Sequence, residues 1–377
     1  MIDLLRQEVM CGADLVVVKI GTNVLAADDG TLDLDQVRHL SEQIAAVKKM
    51  GKRVVLVSSG AIGAGIGRLG LKGRPTDLPA LQAAAAVGQC RLIEAYDSCL
   101  RPFGHPAAQV LLTAEDFNHR ERYLNVRNTI LQLLEWNAVP IINENDTVSV
   151  EEIRFGDNDH LAAMVTNLLR APLLVILSIA EGFYPGDPNS TPGLAPLSTV
   201  THIDEQILNH VGESKSKLGA GGMRSKLQAV RSATAAGESV CIACGRSPNI
   251  LLRLLAGETV GTLFPATGGA LNSWKRWIGY TAKPKGSYVV DAGAHRALAA
   301  DNKSLLPIGV VEVLGTFLSG DVVSVEHPVG LEFARGLTNY SSDEARRIMG
   351  RPSIQLAELL PGSRWEEVVH RDNLVLT

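Results

Sequence analysis

Short apolar runs alternate with amphipathic stretches along the first 262 residues, and this alternation restricts the fold more than any other feature of the sequence. The runs are rich in Val, Ile and Leu, as strands buried on both faces are. Six strands are predicted in this way, at residues 14–20, 53–58, 108–112, 139–143, 173–178 and 239–243. A chain that repeats strand and helix builds a mainly parallel sheet covered by helices, so an α/β fold is expected.

Stretches with helical periodicity lie between these strands. In residues 34–50 apolar side chains recur every three or four positions, and Gly51 follows as a stop signal. The other predicted helices are residues 78–100, 120–136, 159–169 and 225–236. Because ligands of such folds bind beyond the carboxyl ends of the strands, the residues that follow each strand are the first candidates for a functional site.

The pattern changes after residue 264. Residues 265–284 mix Pro, Gly and Lys, as linkers do, and from residue 285 short strand-like runs are separated by Gly and Asp. The sequence therefore predicts an N-terminal α/β domain over residues 1–264, a linker over 265–284 and a small, mostly β domain over 285–377.

Composition and charge argue against several classes of protein. The 377 residues are 46% hydrophobic and 20% charged with a net charge of −4, which is typical of a globular protein in water. No apolar run is long enough to span a bilayer and the N-terminus lacks a signal-peptide pattern, so we expect a cytoplasmic protein without a membrane partner. Residues 285–377 carry nine Lys and Arg against twelve Asp and Glu, which argues against RNA binding.

Cys241 and Cys244 form a C-x-x-C motif inside a predicted strand. Residues three apart in a strand point to opposite faces, whereas a zinc site needs its thiolates on one side and further ligands as well. We therefore assign both cysteines to the core and expect no metal site here. The odd total of five cysteines, in a chain without an export signal, indicates free thiols.

Lys19 ends the first predicted strand, and Gly21 follows it. A buried, unpaired ammonium group is costly, so a lysine at this point either binds an anionic ligand or extends to solvent. The absence of a side chain at Gly21 allows a ligand to approach the backbone closely.

A glycine-rich segment, residues 58–67, follows the second strand. Its free amide groups suit an anion, and the alternative is close packing at the start of a helix. Residues 65–70 also match G-x-G-x-x-G. A dinucleotide site is disfavoured, because the motif lies in the second strand–helix unit and no acidic residue ends a strand about 20 residues further on.

Polar and glycine-rich clusters follow the later strands. Residues 143–146 (NEND) and 156–159 (GDND) are rich in carboxylates and amides, although one of these residues can be explained as a helix cap. Residues 219–226 (GAGGMRSK) place a glycine-rich loop before a helix with a lysine in its first turns, which is typical of phosphate binding although no Walker A motif is present. Two lysines, glycine-rich turns and polar clusters at strand ends suit phosphoryl transfer, which depends on positioning and charge neutralisation.

The order of these segments resembles the glutamate 5-kinase family of the amino-acid kinase superfamily. The N-terminal segments that carry the resemblance are VVVKIGTNVL, VLVSSGAIGAG, PIINENDTV, FGDNDHLAA and GAGGMRSKLQA. Residues 304–313 and 336–350 resemble the PUA domain that many bacterial members carry. The resemblance covers nearly the whole chain, and it implies a three-layer αβα amino-acid kinase fold followed by a small, mostly β PUA-like barrel.

The resemblance implies ATP-dependent phosphorylation of the side-chain carboxylate of L-glutamate, the first step of proline biosynthesis. It implies that Lys19 and Lys226 contact the transferring phosphoryl group and that Asp159 holds these two lysines. Ser59, Asp146 and Asn158 would bind glutamate, and Mg²⁺ would arrive with ATP. The residues implied for the nucleotide site are Lys19, Ser178, Ile179, Ala220, Gly221, Gly222, Met223, Arg224, Ser225 and Lys226.

Two segments depart from the family pattern, which usually has Thr-Asp in place of Ser178-Ile179 and Thr in place of Ala220. Both segments are on the nucleotide side, so nucleotide preference is left open. The motif pair at residues 142–146 and 156–159 favours glutamate over N-acetylglutamate, aspartate or UMP as the acceptor.

The resemblance also implies feedback inhibition by proline, a homo-oligomer (a dimer or a tetramer), and a glutamyl phosphate reductase that consumes the labile product. Residues 116–127 are either a proline sensor or a charged, solvated helix start.

Overall fold

The computed structural model describes residues 3–148, 158–186, 191, 193–201, 203, 222–267, 275, 277–301, 303–360 and 365–377. The chain forms two compact units. One comprises Met1–Asp116 and Arg120–Gly269, and the other comprises Phe117–His119 and Ala270–Thr377. No described helix combines the length and hydrophobicity that crossing a bilayer requires.

A seven-stranded sheet forms the centre of the N-terminal unit. Its strands are β1 (Leu15–Ile20), β2 (Arg53–Ser58), β3 (Ala107–Leu112), β4 (Val139–Glu144), β5 (Leu173–Ser178), β6 (Ser239–Cys244) and β7 (Thr262–Phe264). Their order is β3-β4-β2-β1-β5-β6-β7, and every neighbouring pair is parallel except β6 and β7. β1 therefore lies at the middle of the sheet, and all six of its residues are buried.

Helices lie on both sides of this sheet, which confirms the predicted αβα architecture. They are α1 (Leu4–Gly12), α2 (Thr22–Leu25), α3 (Leu34–Lys49), α4 (Ala61–Leu69), α5 (Leu78–Leu100), α6 (Ala114–Asn118), α7 (Arg120–Glu135), α8 (Asn158–Leu169), α9 (Met223–Ala235) and α10 (Ile250–Leu255). The six predicted strands each lie within one residue of the observed bounds. Strand β7 and the helices α1, α2, α6 and α10 were not predicted.

The glycine-rich segment after β2 packs against another helix. A Cβ atom on Gly65 of α4 would lie 1.9 Å from the carbonyl oxygen of Ala84, and one on Gly88 of α5 would lie 1.8 Å from that of Ala61. Helices α4 and α5 thus cross at a distance that only glycine permits. Gly70 ends α4 with a φ of 61°. Close packing thus explains Gly65, and the positive φ explains Gly70, which are the first and last glycines of the G-x-G-x-x-G match. Both observations favour the helix-packing interpretation.

The second unit contains a five-stranded sheet, in agreement with the predicted mostly β domain. Its strands are β8 (Gly286–Val290), β9 (Val310–Gly315), β10 (Val322–Glu326), β11 (Glu332–Thr338) and β12 (Val369–Leu376), in the order β12-β11-β10-β8-β9. Strands β8 and β10 are parallel, and the other neighbouring pairs are antiparallel. Its helices are α11 (Ala292–Ala299), α12 (Ser342–Ile348) and α13 (Leu356–Leu359).

A short π-helical turn, Trp277–Thr281, packs on strands β11 and β12 of the same unit. Trp277 and Ile278 are buried there, although both lie in the segment predicted as a linker. A Cβ atom on Gly279 would lie 2.8 Å from the side chain of Val375, so the turn lies directly on β12.

Candidate active site

Two lysines and one aspartate from distant parts of the chain meet in the N-terminal unit. The Nζ atom of Lys19 lies 2.6 Å from Oδ1 of Asp159, and Nζ of Lys226 donates a hydrogen bond of 2.8 Å to Oδ2 of the same carboxylate. Each oxygen of Asp159 thus has its own ammonium partner. Sequence analysis predicted these three residues together, and the structure places them in contact.

The three side chains are almost completely removed from solvent, with exposures of 7% for Lys19, 0% for Asp159 and 9% for Lys226. Burial by itself would raise the pKa of Asp159, but the two ammonium groups outweigh this effect and hold that pKa well below its usual value. The carboxylate is therefore ionised, and the cluster carries one net positive charge when both lysines are protonated.

The fold explains why the three residues converge. Lys19 lies in the central strand, where it pairs in register with Val57 of β2 and Ile176 of β5. Asp159 is the second residue of α8, and Lys226 lies in the first turns of α9, which packs on α8. The two helix starts thus bring their charged groups to the end of the central strand.

A second polar cluster, here called the amide relay, consists of Gln89, Asn143, Asn158 and Ser59. Asn143 Nδ2 donates to Gln89 Oε1 at 2.8 Å, and Asn158 Nδ2 donates both to Asn143 Oδ1 at 3.0 Å and to Ser59 Oγ at 2.8 Å. The three amide side chains are buried, and Ser59 is half-buried. Since Asn158 directly precedes Asp159, the relay ends beside the charged cluster.

Ser59 is positioned by the turn that follows β2. Its N–H donates to the carbonyl oxygen of Ile20 at 3.1 Å, which ties this turn to the end of β1. Gly60 then adopts a φ of 109°, a conformation that glycine accepts readily, and α4 begins at the next residue. Next to Ser59, the buried Ser58 hydroxyl contacts Tyr96 of α5 at 3.0 Å.

Asp146 lies in the turn after β4 and is half-buried. Its charge interacts favourably with that of Arg74, a residue of the segment between α4 and α5. Burial is the main reason that the pKa of Arg74 is lowered, and the carboxylate of Asp146 opposes this shift. The charge of Asp146 therefore interacts with a cation of the protein.

The residues predicted for nucleotide binding are only partly within the described structure. Ser178 ends β5, and Ile179 follows it with an exposed side chain. Gly222 precedes α9, and Met223, Arg224 and Ser225 form its first turn. Ala220 and Gly221 lie outside the described residues, as do Gly156 and Asp157 of the GDND motif.

Sequence analysis missed Gln89 and Arg74, and it treated Asn143 only as one member of a cluster. Gln89 lies in a long helix whose sequence resembles that of any buried alanine-rich helix, so its contact with β4 arises only from tertiary packing. The available signal was the adjacent Gly88, which marks a close helix crossing and hence the face of α5 that is buried.

The described residues supply no ready protein site for a metal ion. None of them forms a group of three or more His, Cys, Asp and Glu side chains that could hold one. Asp159 is engaged by two ammonium groups, which makes it a poor metal ligand. All five cysteines are free thiols. Cys241 is buried as predicted, whereas Cys244, also assigned to the core, is only half-buried at the end of β6.

Comparisons with known proteins identify the family of each domain. Residues 14–244 match the model of the amino acid kinase family, and residues 286–360 match the PUA domain. The chain is 48% identical to a glutamate 5-kinase of Methylococcus capsulatus, over 97% of this chain and 98% of the relative. It is 46% identical to a glutamate 5-kinase of Nitrosomonas eutropha and 44% identical to one of Syntrophotalea carbinolica, in both cases over 99% of this chain and 100% of the relative.

The αβα fold, the buried Lys–Asp–Lys cluster and the family match together define a kinase, and the chain belongs to the amino acid kinase family. Within that family it belongs with the glutamate 5-kinases, which it matches from end to end with a PUA domain after the kinase domain.

Proposed function

We propose that this protein transfers the terminal phosphoryl group of ATP to the side-chain carboxylate of L-glutamate, giving L-glutamyl 5-phosphate and ADP. The observation that carries the proposal is the buried contact of Lys19 and Lys226 with one carboxylate, in a chain that matches glutamate 5-kinases over its full length.

The Lys–Asp–Lys cluster suits this reaction electrostatically. In the transition state negative charge is spread over the transferring phosphoryl group and over the attacking and leaving oxygens. Lys19 and Lys226 bind different oxygens of Asp159, so the carboxylate holds two cations at a defined spacing without cancelling both charges. Cations fixed in advance within a buried site stabilise the transition state at little reorganisation cost.

The acceptor and the nucleotide would bind on different sides of this cluster. Ser59, Asn158 and Asp146 follow β2 and β4, and we assign glutamate to them. We assign ATP to residues 178–179, at the end of β5, and to residues 220–226, where α9 begins. The positive N-terminal end of α9 favours phosphate groups.

Magnesium enters this proposal with the nucleotide. The described residues offer no carboxylate set for the ion, so its ligands would come mainly from the phosphate oxygens and water, as is usual for Mg²⁺ bound with ATP.

The direct test is ATP-dependent formation of an acyl hydroxamate, with L-glutamate, L-aspartate and N-acetyl-L-glutamate as separate acceptors. Hydroxylamine traps an acyl phosphate, so product with L-glutamate alone supports both the reaction and the substrate. Product with another acid instead would retain the kinase reaction and overturn the assignment of Ser59, Asp146 and Asn158 to glutamate.

We also propose that the reaction opens proline biosynthesis and that proline inhibits it. Residues 116–127 remain the candidate sensor. Proline titrated at sub-saturating glutamate should lower the rate, and an unchanged rate would remove this part of the proposal. The predicted homo-oligomer, the cytoplasmic location and the use of the product by glutamyl phosphate reductase also stay predictions.

A further inference from the structure

We propose that Gln89, which is linked to Ser59 only through Asn143 and Asn158, acts as a positioning residue that makes the Ser59 hydroxyl a hydrogen-bond donor toward a carboxylate of the acceptor. This inference rests on the proposed function, because it requires an acid to bind beside Ser59. It assigns a role in acceptor affinity to helix α5, which contributes none of the predicted site residues.

The Ser59 hydroxyl has a hydrogen to donate. Its Oγ atom accepts a hydrogen bond from Asn158 Nδ2 at 2.8 Å, so its own hydrogen is available for another partner. Ser59 is half-buried, whereas the amides behind it are buried. A hydroxyl that already accepts a hydrogen bond from the protein, and whose hydrogen is free, is well suited to donate to an anionic oxygen of a ligand.

The amide group of Asn158 donates in two directions. Both hydrogens of its Nδ2 are used, one by Ser59 and the other by Asn143 Oδ1. Its Oδ1 atom is buried and has no hydrogen-bond partner among the described residues. The orientation of this amide is therefore determined by its two acceptors, and Asn143 must present its oxygen for the arrangement to hold.

Gln89 accepts the hydrogen bond that orients Asn143. Asn143 presents its oxygen to Asn158 because its Nδ2 donates to Gln89 Oε1 at 2.8 Å. Turning all three amides by 180° would exchange their nitrogens and oxygens, and Ser59 would then have to donate to Asn158 instead of to a ligand. The acceptor oxygen of Gln89 thus selects the hydrogen-bond direction that leaves the Ser59 hydrogen free.

The packing of α5 fixes the position of Gln89. Gly88 allows α5 to approach α4 so closely that a Cβ atom there would overlap Ala61 O and Gly65 N. The neighbouring Gln89 is thereby placed against β4 with its Oε1 atom toward Asn143 Nδ2, while its Nε2 atom is buried without a hydrogen-bond partner among the described residues. The segment that includes α4 and Gly88 therefore contributes to acceptor recognition through Gln89.

The test measures acceptor affinity separately from turnover. Gln89→Met keeps the size of the side chain but removes the acceptor, and it should raise the KM for L-glutamate about tenfold, as expected for one hydrogen bond to a charged group. The KM for ATP should stay within about twofold, because none of the four relay residues is among those assigned to the nucleotide. Gln89→Glu retains an acceptor oxygen facing Asn143, and it should keep the KM for glutamate within about threefold of wild type.

A matched control tests for a purely structural effect. Gln43 of α3 is equally buried, and its Oε1 accepts a hydrogen bond of 2.9 Å from the N–H of Leu251. Gln43→Met should lower the melting temperature as Gln89→Met does, while leaving the KM for glutamate unchanged. An equal rise in KM in both variants would overturn the proposal.

A double-mutant cycle with Ser59→Ala provides a second readout. Because Gln89 acts through the Ser59 hydroxyl, Gln89→Met should raise the KM less than about twofold in the Ser59→Ala background. Additive effects of the two substitutions would overturn the proposal. If Gln89→Met fails to fold, Gln89→Asn takes its place, since it keeps the amide but withdraws it from Asn143.

The wild-type enzyme separates failure of this inference from failure of the proposed function. If it phosphorylates aspartate or N-acetylglutamate instead of glutamate, the proposed substrate is wrong, and the same variants are then compared by the KM of the acid that reacts. If none of these acids supports ADP formation or raises the melting temperature, both proposals are overturned. If glutamate is the substrate and Gln89→Met leaves its KM unchanged, only the inference about Gln89 fails.

Discussion

At the scale of single residues, Asp159 determines whether two cations can be held together inside the protein. A lysine ammonium buried without a partner is expensive, and both Lys19 and Lys226 depend on this one carboxylate. The cluster is consequently a point where catalysis and stability depend on the same atoms.

Lys226→Met should lower kcat by about 100- to 1,000-fold, the usual cost of removing one preorganised group that stabilises transition-state charge. The KM for glutamate should change little, because the charge of Lys226 matters most after the phosphoryl group begins to move. Steady-state kinetics with both substrates varied would measure this. Arg231→Met, an exposed cation on the same helix, is the control, and a Lys226→Met enzyme with near-normal kcat would remove Lys226 from catalysis.

Asp159→Asn should destabilise the N-terminal unit by about 3–5 kcal/mol at pH 7, because it leaves two buried ammonium groups without a counter-charge. The pKa of Asp159 is lowered in the folded state relative to about 3.9 for an unfolded chain. Its contribution to stability is therefore present above the unfolded value and is lost as the pH falls through the folded one.

The difference in free energy of unfolding between wild type and Asp159→Asn should consequently be constant from about pH 7 to 5 and shrink below about pH 4. Urea unfolding at a series of pH values would measure it. A difference that vanished between pH 7 and 5 would show that the wild-type carboxylate titrates there, contrary to its low pKa.

At the scale of helices and strands, the crossing of α4 and α5 connects a sequence motif to the site. Gly88→Ala introduces a Cβ atom that meets the backbone of Ala61 and Gly65, so α5 must move away from α4. We expect a loss of stability of about 1–3 kcal/mol, with partial loss of glutamate affinity because Gln89 moves with the helix. Thermal unfolding and the KM for glutamate are the measurements.

Gly12→Ala at the end of α1 is the matched control, since a Cβ atom there meets nothing within 4 Å. It should leave stability unchanged or slightly raised, because alanine lowers the conformational entropy of the unfolded chain. Equal effects of the two substitutions would indicate that the α4–α5 crossing accommodates a side chain and that its tight packing is not required.

The strands and helices of the N-terminal unit were largely predictable because buried parallel strands are continuous apolar runs. Leu173–Ser178 and Arg53–Ser58 were predicted with their observed bounds, and Lys19 was recognisable because a charged residue interrupts such a run. The short antiparallel β7 has only three residues and no periodicity. Gln89 could not be assigned to the site from the sequence, because a helix pattern shows that a face is buried but not which strand lies beneath it.

At the scale of the whole molecule, the two units have separate hydrophobic cores. The core of the C-terminal unit includes Tyr288, Val323 and Val369, and Tyr288 also shares a hydrogen bond of 2.7 Å with Thr338. A unit with its own core and sheet can unfold as its own cooperative transition, and we propose domain boundaries on this basis. Sequence analysis places the second domain at residues 285–377, whereas the packing of the π-helical turn favours an earlier start.

A fragment of residues 270–377 should therefore be more stable than a fragment of residues 285–377. The longer fragment retains Trp277 and Ile278, which are buried in the turn that packs on β11 and β12, and full burial of one large apolar side chain contributes about 1.5–3 kcal/mol. It lacks Phe117, whose carbonyl oxygen accepts a hydrogen bond of 2.6 Å from the indole N–H of Trp277, so the gain should lie toward the lower end of this range. Urea unfolding followed by circular dichroism should give a single transition for the longer fragment at a clearly higher midpoint. The variant Trp277→Ala in the longer fragment separates this packing from chain length, because it should lower the midpoint toward that of the shorter one. Equal midpoints for the two fragments would support the boundary at residue 285, since the turn would then add nothing to the stability of the domain.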